Sequence, residues 1–247
     1  MKQQYSESVT AAIAIQNLTF SYSQLSVLQN ISVTIRTGER VGLIGPNGSG
    51  KTTLFLLTCG VLKPTAGKIF LFDKPITVGE FRPEIGLVFQ NPNDQLFLPS
   101  VRDDIAFGPE NMGLSATEVE ECVQEAIFLT GIQNLVERVP HNLSGGEKCM
   151  VAIAGVIAMR PQLVLYDEPS ANLDMRSRRR LIQFLQESQQ TMMISSHDLE
   201  LILEVCDRVL LLDQGQIIAD GNPRDVMGDQ PLMEAHGLEK PFSLTTH

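Results

Sequence analysis

The chain has 247 residues, 43% of them hydrophobic, and a net charge of −10 from 29 acids against 19 bases. That is enough apolar content for one large domain, or one domain carrying an inserted subdomain. The acidic balance, with 6% aromatics and no tryptophan, argues against broad nucleic-acid binding and against a stacking platform for single strands. Cys59, Cys122, Cys149 and Cys206 lie far apart with no Cys-x-x-Cys pair, so neither a zinc site nor a disulfide framework is expected, and a reducing cytosol fits. The polar start, MKQQYSESVT, has no signal-peptide core. The longest apolar run, Met150 to Met159, is ten residues, and a span needs about 20. The chain is therefore not expected to cross a membrane by itself, although it can dock on a protein that does.

In chain order, residues 1–11 read as a frayed leader. Ile13 to Phe20 alternates as a strand with a one-residue slip between Ile15 and Leu18, and Leu28 to Ile35 alternates again. Arg40 to Ile44 is a short apolar run that reads as a buried strand, followed by Gly45-Pro46-Asn47-Gly48-Ser49-Gly50-Lys51-Thr52 and a helix to about Cys59. Pro64 to Gly67 breaks that helix, Lys68 to Phe72 reads as a strand, Asp73-Lys74-Pro75 as a turn, and Ile85 to Phe89 as another strand. From about 94 to 142 the period becomes helical, with Ser115-Ala116-Thr117-Glu118 resembling a capping box, so this section is expected to be an inserted helical subdomain. Met150 to Ala158 is an apolar helix, Leu163 to Tyr166 a buried strand, Arg176 to Ser188 a helix, and Thr191 to Ile194 a strand. Leu199 to Cys206 is a short helix, and Arg208 to Leu212 and Ile217 to Ala219 are strands. Arg178-Arg179-Arg180 reads as a solvated face, and residues from about 226 onward as a polar tail with no clear period. Alternating strands and helices argue for an α/β fold with a mainly parallel sheet and helices on both faces.

The segment Gly45–Thr52 fits G-x-x-x-x-G-K-[ST], the phosphate-binding loop, between a strand and a helix as that motif requires. Its glycines let successive N–H groups face an anion. Lys51 can reach the outer phosphates and the Thr52 hydroxyl can ligate Mg²⁺. Further polar residues collect just after strands, namely Gln90, Asp167-Glu168 and His197. In a parallel α/β sheet the strand ends share one edge, so these residues are expected to meet there. Asp167 follows four apolar residues, the Walker B arrangement, and can orient Mg²⁺ through water. Glu168 is then a candidate general base for water, and His197 a donor to the γ-phosphate. Tyr22 reads either as an ordinary surface or core tyrosine or as a ring stacked on a base. Ser144-Gly145-Gly146 opens an apolar helix and offers a second anion-binding N-terminus. One nucleotide does not need two such ends from one chain, which points to a second subunit.

Together these residues resemble the ATP-binding subunits of ABC transporters, over roughly residues 13–225, with a single ATPase domain expected at 12–226 and a C-terminal tail at 227–247. The resemblance implies a P-loop NTPase core with an N-terminal antiparallel β subdomain and an inserted helical subdomain. It implies ATP ligands at Tyr22, Gly45, Pro46, Asn47, Gly48, Ser49, Gly50, Lys51, Thr52 and Thr53, and Mg²⁺ at Thr52, Gln90 and Asp167. Glu168, His197 and the Q-loop Gln90 would be catalytic. The signature Leu143-Ser144-Gly145-Gly146-Glu147 would meet the ATP of a partner subunit paired head to tail, with Asp174 in the D-loop. Membrane subunits would dock on the helical insert, at the cytoplasmic face of the cell membrane, and no nucleic acid is implied.

A narrower similarity, in Val88 to Phe97 and Asp104 to Leu114, is to energy-coupling-factor ATPases that power uptake of cobalt, nickel or vitamins. The short extension beyond the core leans toward the cobalt/nickel type, with vitamin (for example biotin) uptake as the alternative. Four positions depart from the family pattern. Glu147 replaces the usual Gln, Cys149 and Met150 replace basic residues, and Tyr166 replaces Leu. Two other readings compete. A soluble ABC ATPase acting on ribosomes or DNA would usually carry two cassettes or a long coiled-coil insert. A regulatory module without turnover fits poorly with intact Glu168 and His197, and phosphate release would discriminate it.

Overall fold

The computed structural model describes residues 11–245. The leader reading at residues 1–10 lies outside them, and Ala11 already opens a strand. Strands β1 (Ala11–Tyr22) and β2 (Leu25–Arg36) form a long antiparallel hairpin; β3 (Arg40–Ile44) then leads into helix α1 (Lys51–Thr58). Strands β4 (Ala66–Leu71), β5 (Lys74–Pro75) and β6 (Ile85–Val88) precede the helical section, α2 (Val101–Asn111), α3 (Ala116–Thr130) and α4 (Gly145–Ile157). Then follow β7 (Leu163–Asp167), α5 (Met175–Glu187), β8 (Thr191–Ser195), α6 (Leu199–Val205), β9 (Arg208–Asp213) and β10 (Gln216–Gly221). Two short helices, α7 (Pro223–Gly228) and α8 (Gln230–Ala235), come last, before a single turn at Phe242–Leu244.

The strands form two sheets, one four-stranded in the order β2-β1-β4-β5 and antiparallel, the other six-stranded in the order β10-β9-β3-β8-β7-β6. In the second sheet all neighbours are parallel except β10 on β9. Side-chain alternation divides its residues between two cores. Leu163 and Leu165 of β7, with Leu210 and Leu212 of β9, pack with α1 and the antiparallel sheet. Val164 and Tyr166, with Val209 and Leu211, pack with α4, α5 and α6 on the other face. The slip in β1 is a bulge, with a register shift between Ile15 and Leu18 and Asn17 at φ 48.

Three local expectations are corrected. The turn is at Phe72-Asp73, both at positive φ (47 and 61), and Lys74–Pro75 pairs back on Phe70–Leu71 as an edge strand. That is the backbone of a two-residue hairpin, and proline is tolerated at a sheet edge. The arginine run is not a free solvated face. Arg178 forks onto Asp198, Arg179 pairs with Glu204, and Arg180 donates to the carbonyls of Thr130 and Gly131 at the end of α3. The polar stretch after 226 folds back as α7 and α8, because Met227 and Met233 are fully buried against the core and His236 Nδ1 sits 2.8 Å from Asp213 Oδ2.

Candidate active site

The loop after β3 is shaped by close approach to its neighbour strand. A Cβ at Gly45 would lie 1.9 Å from the Leu212 carbonyl oxygen, and its φ of 151 suits glycine alone. Lys51 opens α1 and folds back over the loop, its Nζ donating to the carbonyls of Gly45 (2.8 Å) and Pro46 (3.1 Å). The side chain is only 7% exposed. Burial pushes its ammonium below the ordinary lysine range, and the carboxylates of Glu168 and Asp167 pull it back up. It is thus a poorly solvated cation in need of an anion.

The sheet edge brings the other strand-end residues to this loop. Thr52 Oγ1 donates to Asp167 Oδ2 at 2.7 Å, and Ser195 Oγ donates to Asp167 Oδ1 at 2.6 Å. Glu168 follows in a left-handed conformation, φ 48, its N–H shared between the backbone oxygen and the hydroxyl of Ser195. Such a backbone state costs energy for a glutamate and persists only where its surroundings fix it. It aims the side chain at the next strand end, where Oε2 accepts the His197 N–H at 3.0 Å. His197 Nε2 lies 2.8 Å from Asn47 Oδ1 and 3.3 Å from Glu168 Oε1. An amide oxygen only accepts, so Nε2 carries the ring hydrogen and gives it to Asn47. Glu168 Oε1 is therefore buried with no hydrogen-bond partner. Ser49 Oγ in the loop is likewise buried and unpaired. Buried polar atoms of this kind need a partner, and here they flank the loop that Lys51 folds over.

The remaining candidates stand apart. Gln90 makes no hydrogen bond to Thr52 or Asp167; it borders a cavity of about 300 Å³ shared with Gly145, Cys149 and Ala171. Tyr22 is 46% exposed at the tip of the β1–β2 hairpin, edge-on to Phe20 with ring centroids 4.7 Å apart. Thr53 is buried in α1 without a side-chain bond. Leu143 is buried in the core of the helical face. Ser144 caps α4 and opens, with Glu147 and Asp174, on a different cavity of about 770 Å³. Asp174 caps α5 by accepting the Ser177 N–H, and a Cβ at Gly146 would lie 2.1 Å from Ser177 Oγ. Glycine there lets the two helix starts meet.

The ABC transporter family pattern matches residues 28–171. The chain belongs to the ABC transporter ATPase family. A Synechocystis sp. protein provisionally described as an ABC transporter ATP-binding protein is 57% identical over 98% of this chain and 86% of its own. The energy-coupling factor transporter ATP-binding protein EcfA of Methanothermobacter thermautotrophicus is 43% identical over 93% of this chain and 76% of its own. Among solved structures, cbiO1 from Clostridium perfringens, part of the ABC transporter complex cbiONQ, superimposes with a TM-score of 0.81 at 36% identity, covering 92% of this chain and 94% of that one. This ABC ATPase is thus an ATP-hydrolysing transporter subunit with the P-loop NTPase fold. Among the described residues no helix is long and apolar enough to cross a membrane.

Sequence reasoning missed two features of the site. One is Ser195, whose hydroxyl bridges Asp167 and the Glu168 N–H; a serine at a strand end gives no signal without the fold. The other is the Ser144-x-x-Glu147 capping box, which carries the same pattern that had marked Ser115.

Proposed function

We propose that this ABC ATPase is the motor of an energy-coupling-factor-type importer, most simply one for cobalt or nickel ions. It would bind ATP between its own P-loop and the signature helix of a second ATPase subunit paired head to tail. The observation that carries the reading is the separation of the two anion-binding ends. Thr52, Asp167, Glu168 and His197 converge at the P-loop, while Ser144 opens on another cavity. A second subunit is needed to bring a signature to each loop.

In this reading the loop amides and Lys51 hold the outer phosphates, and Tyr22 stacks on the base. Mg²⁺ fits the donor set. Thr52 and Asp167 supply a hydroxyl and a carboxylate oxygen 2.7 Å apart. Among the described residues no cluster of three His, Cys, Asp or Glu could hold a metal, as suits an ion that takes its other ligands from phosphate and water. Bound there, it would neutralise charge on the phosphates. Glu168 Oε1, buried and without a hydrogen-bond partner, accepts the proton of the attacking water. The new P–O bond forms as the bond to ADP breaks, and His197 supports the γ-phosphate. Gln90 would link this event to the membrane subunits.

Those subunits would dock on an apolar groove of about 590 Å³ between β6 and the helical section. Phe81, Phe89, Phe97 and Phe107 face it with exposed rings, Phe97 and Phe107 edge-to-face at 5.1 Å. Exposed aromatics clustered in a groove mark an interaction surface. The neighbouring EcfA and cbiONQ proteins support an importer of this class. The test is co-expression with candidate membrane subunits and uptake of labelled Co²⁺, Ni²⁺ and biotin. Phe97→Asp should abolish uptake while basal phosphate release persists. Unchanged uptake in the variant removes the groove as the dock, and biotin uptake alone replaces the metal assignment.

A further inference from the structure

Glu147, where the family pattern has glutamine, is engaged on both carboxylate oxygens. Oε2 accepts the N–H and the hydroxyl of Ser144, each at 2.8 Å, and Oε1 faces Arg138 Nη1 at 3.4 Å. The Glu147 N–H returns to Ser144 Oγ at 3.4 Å, completing a reciprocal box. Two consequences follow. The Ser144 hydroxyl hydrogen is already committed, so the donors left for a phosphate are the Gly145 and Gly146 N–H groups. A full negative charge also sits in the first turn of α4, where the helix end supplies only about half a positive charge. The bonds from Ser144 hold the Glu147 carboxyl below the ordinary glutamate range, with Arg138 and Arg180 adding to the effect, so that charge is present at neutral pH.

We infer that Glu147 is a positioning residue of the composite site, one that sets how much ATP is needed to close the dimer. Its bonds fix the Ser144 side chain at the start of α4. Its charge opposes the phosphate brought by the partner's P-loop, and Arg138 and Arg180 offset part of that charge. The Ser144 hydroxyl can itself meet a phosphate oxygen only by passing its hydrogen there from Glu147. This rests on the head-to-tail reading given above. The two effects are separable by chemistry, because a glutamine oxygen can still accept the Ser144 N–H while carrying no charge.

The experiment uses the Glu168→Gln background, in which the closed state accumulates, and follows dimer formation against MgATP concentration by light scattering. Adding Glu147→Gln should lower the half-saturating ATP by about 3–10-fold, and raised ionic strength should shrink the difference because it is electrostatic. ATP affinity of the monomer should not change, since the P-loop lies elsewhere. Glu147→Gln, which keeps an acceptor for Ser144 but loses the charge, should lower the thermal midpoint less than Glu147→Ala, which loses the cap as well. Equal thermal losses in both variants, or an unchanged ATP titration, would make the residue merely structural and overturn the inference. If no variant, including the background alone, forms an ATP-dependent dimer, the head-to-tail reading falls and takes this inference with it.

Discussion

Glu168→Gln isolates the chemical step from binding. Glutamine keeps an oxygen for the His197 N–H that Oε2 now accepts at 3.0 Å. At the other position it replaces an acceptor that makes no hydrogen bond with an amide that donates. The water thus loses its proton acceptor while Lys51, Thr52 and Asp167 are untouched. Loss of a general base slows a reaction by about 10²–10⁴-fold, equivalent to roughly 3–5 kcal/mol of activation free energy. Stability should change little, because Oε1 makes no hydrogen bond and only approaches His197 Nε2 at 3.3 Å, and a neutral amide costs less to bury than a charge. Phosphate release in single turnover, nucleotide affinity by calorimetry and the thermal midpoint separate the terms. The expected pattern is slow release, retained MgATP binding and a midpoint that changes little. Near wild-type release would refute the assignment of Glu168 as the base, and lost ATP binding would make it a structural or metal-site residue.

Other variants test the surroundings. Lys51→Ala should weaken MgATP binding by about 10–10²-fold in calorimetry, the range for losing a charged hydrogen bond; unchanged affinity would reject the phosphate role. Tyr166→Phe should leave stability unchanged or raise it by about 1 kcal/mol, because the Tyr166 hydroxyl is fully buried with no partner. Urea unfolding checks this, and a clear loss would reveal a partner for that hydroxyl. Asp104 accepts the N–H groups of Phe97 and Leu98 on Oδ1, while Oδ2 is buried without a partner. Burial raises its carboxyl above the ordinary range, so as pH falls the folded chain takes up this proton before the unfolded chain does, and stability gains. Asp104→Asn should remove that gain, so the stability difference between variant and wild type should change as pH falls through the mildly acidic range. A difference independent of pH would contradict the burial argument.

Much of the candidate site was legible because its residues sit in short contiguous patterns. The run Gly45–Thr52 needs only a strand before it and a helix after it, and Leu163–Asp167 announces its own burial. Their meeting followed from the rule that parallel strands end on one edge, and the Thr52–Asp167 bond is the result. What escaped depends on contacts distant in sequence. Arg178 and Arg179 look like solvent-facing charges until α6 brings Asp198 and Glu204 beside them. Met227 and Met233 are too few among polar neighbours to give a helical period, yet they bury fully once β9 and β10 offer a surface. Glu147 was visible as a departure, but its meaning lay in the capping geometry of Ser144 rather than in residue type.

The central claim is that each ATP is held by the P-loop of one subunit and the signature of another. Lys51→Ala and Ser144→Arg should each inactivate the chain alone. Mixed, with heterodimers demonstrated by differently tagged copies, they should recover phosphate release, because one site then joins an intact Lys51 to an intact Ser144. A chain carrying both changes, mixed with wild type, should leave no intact site in the mixed dimer. Failure of the single variants to recover activity in demonstrated heterodimers would contradict the account.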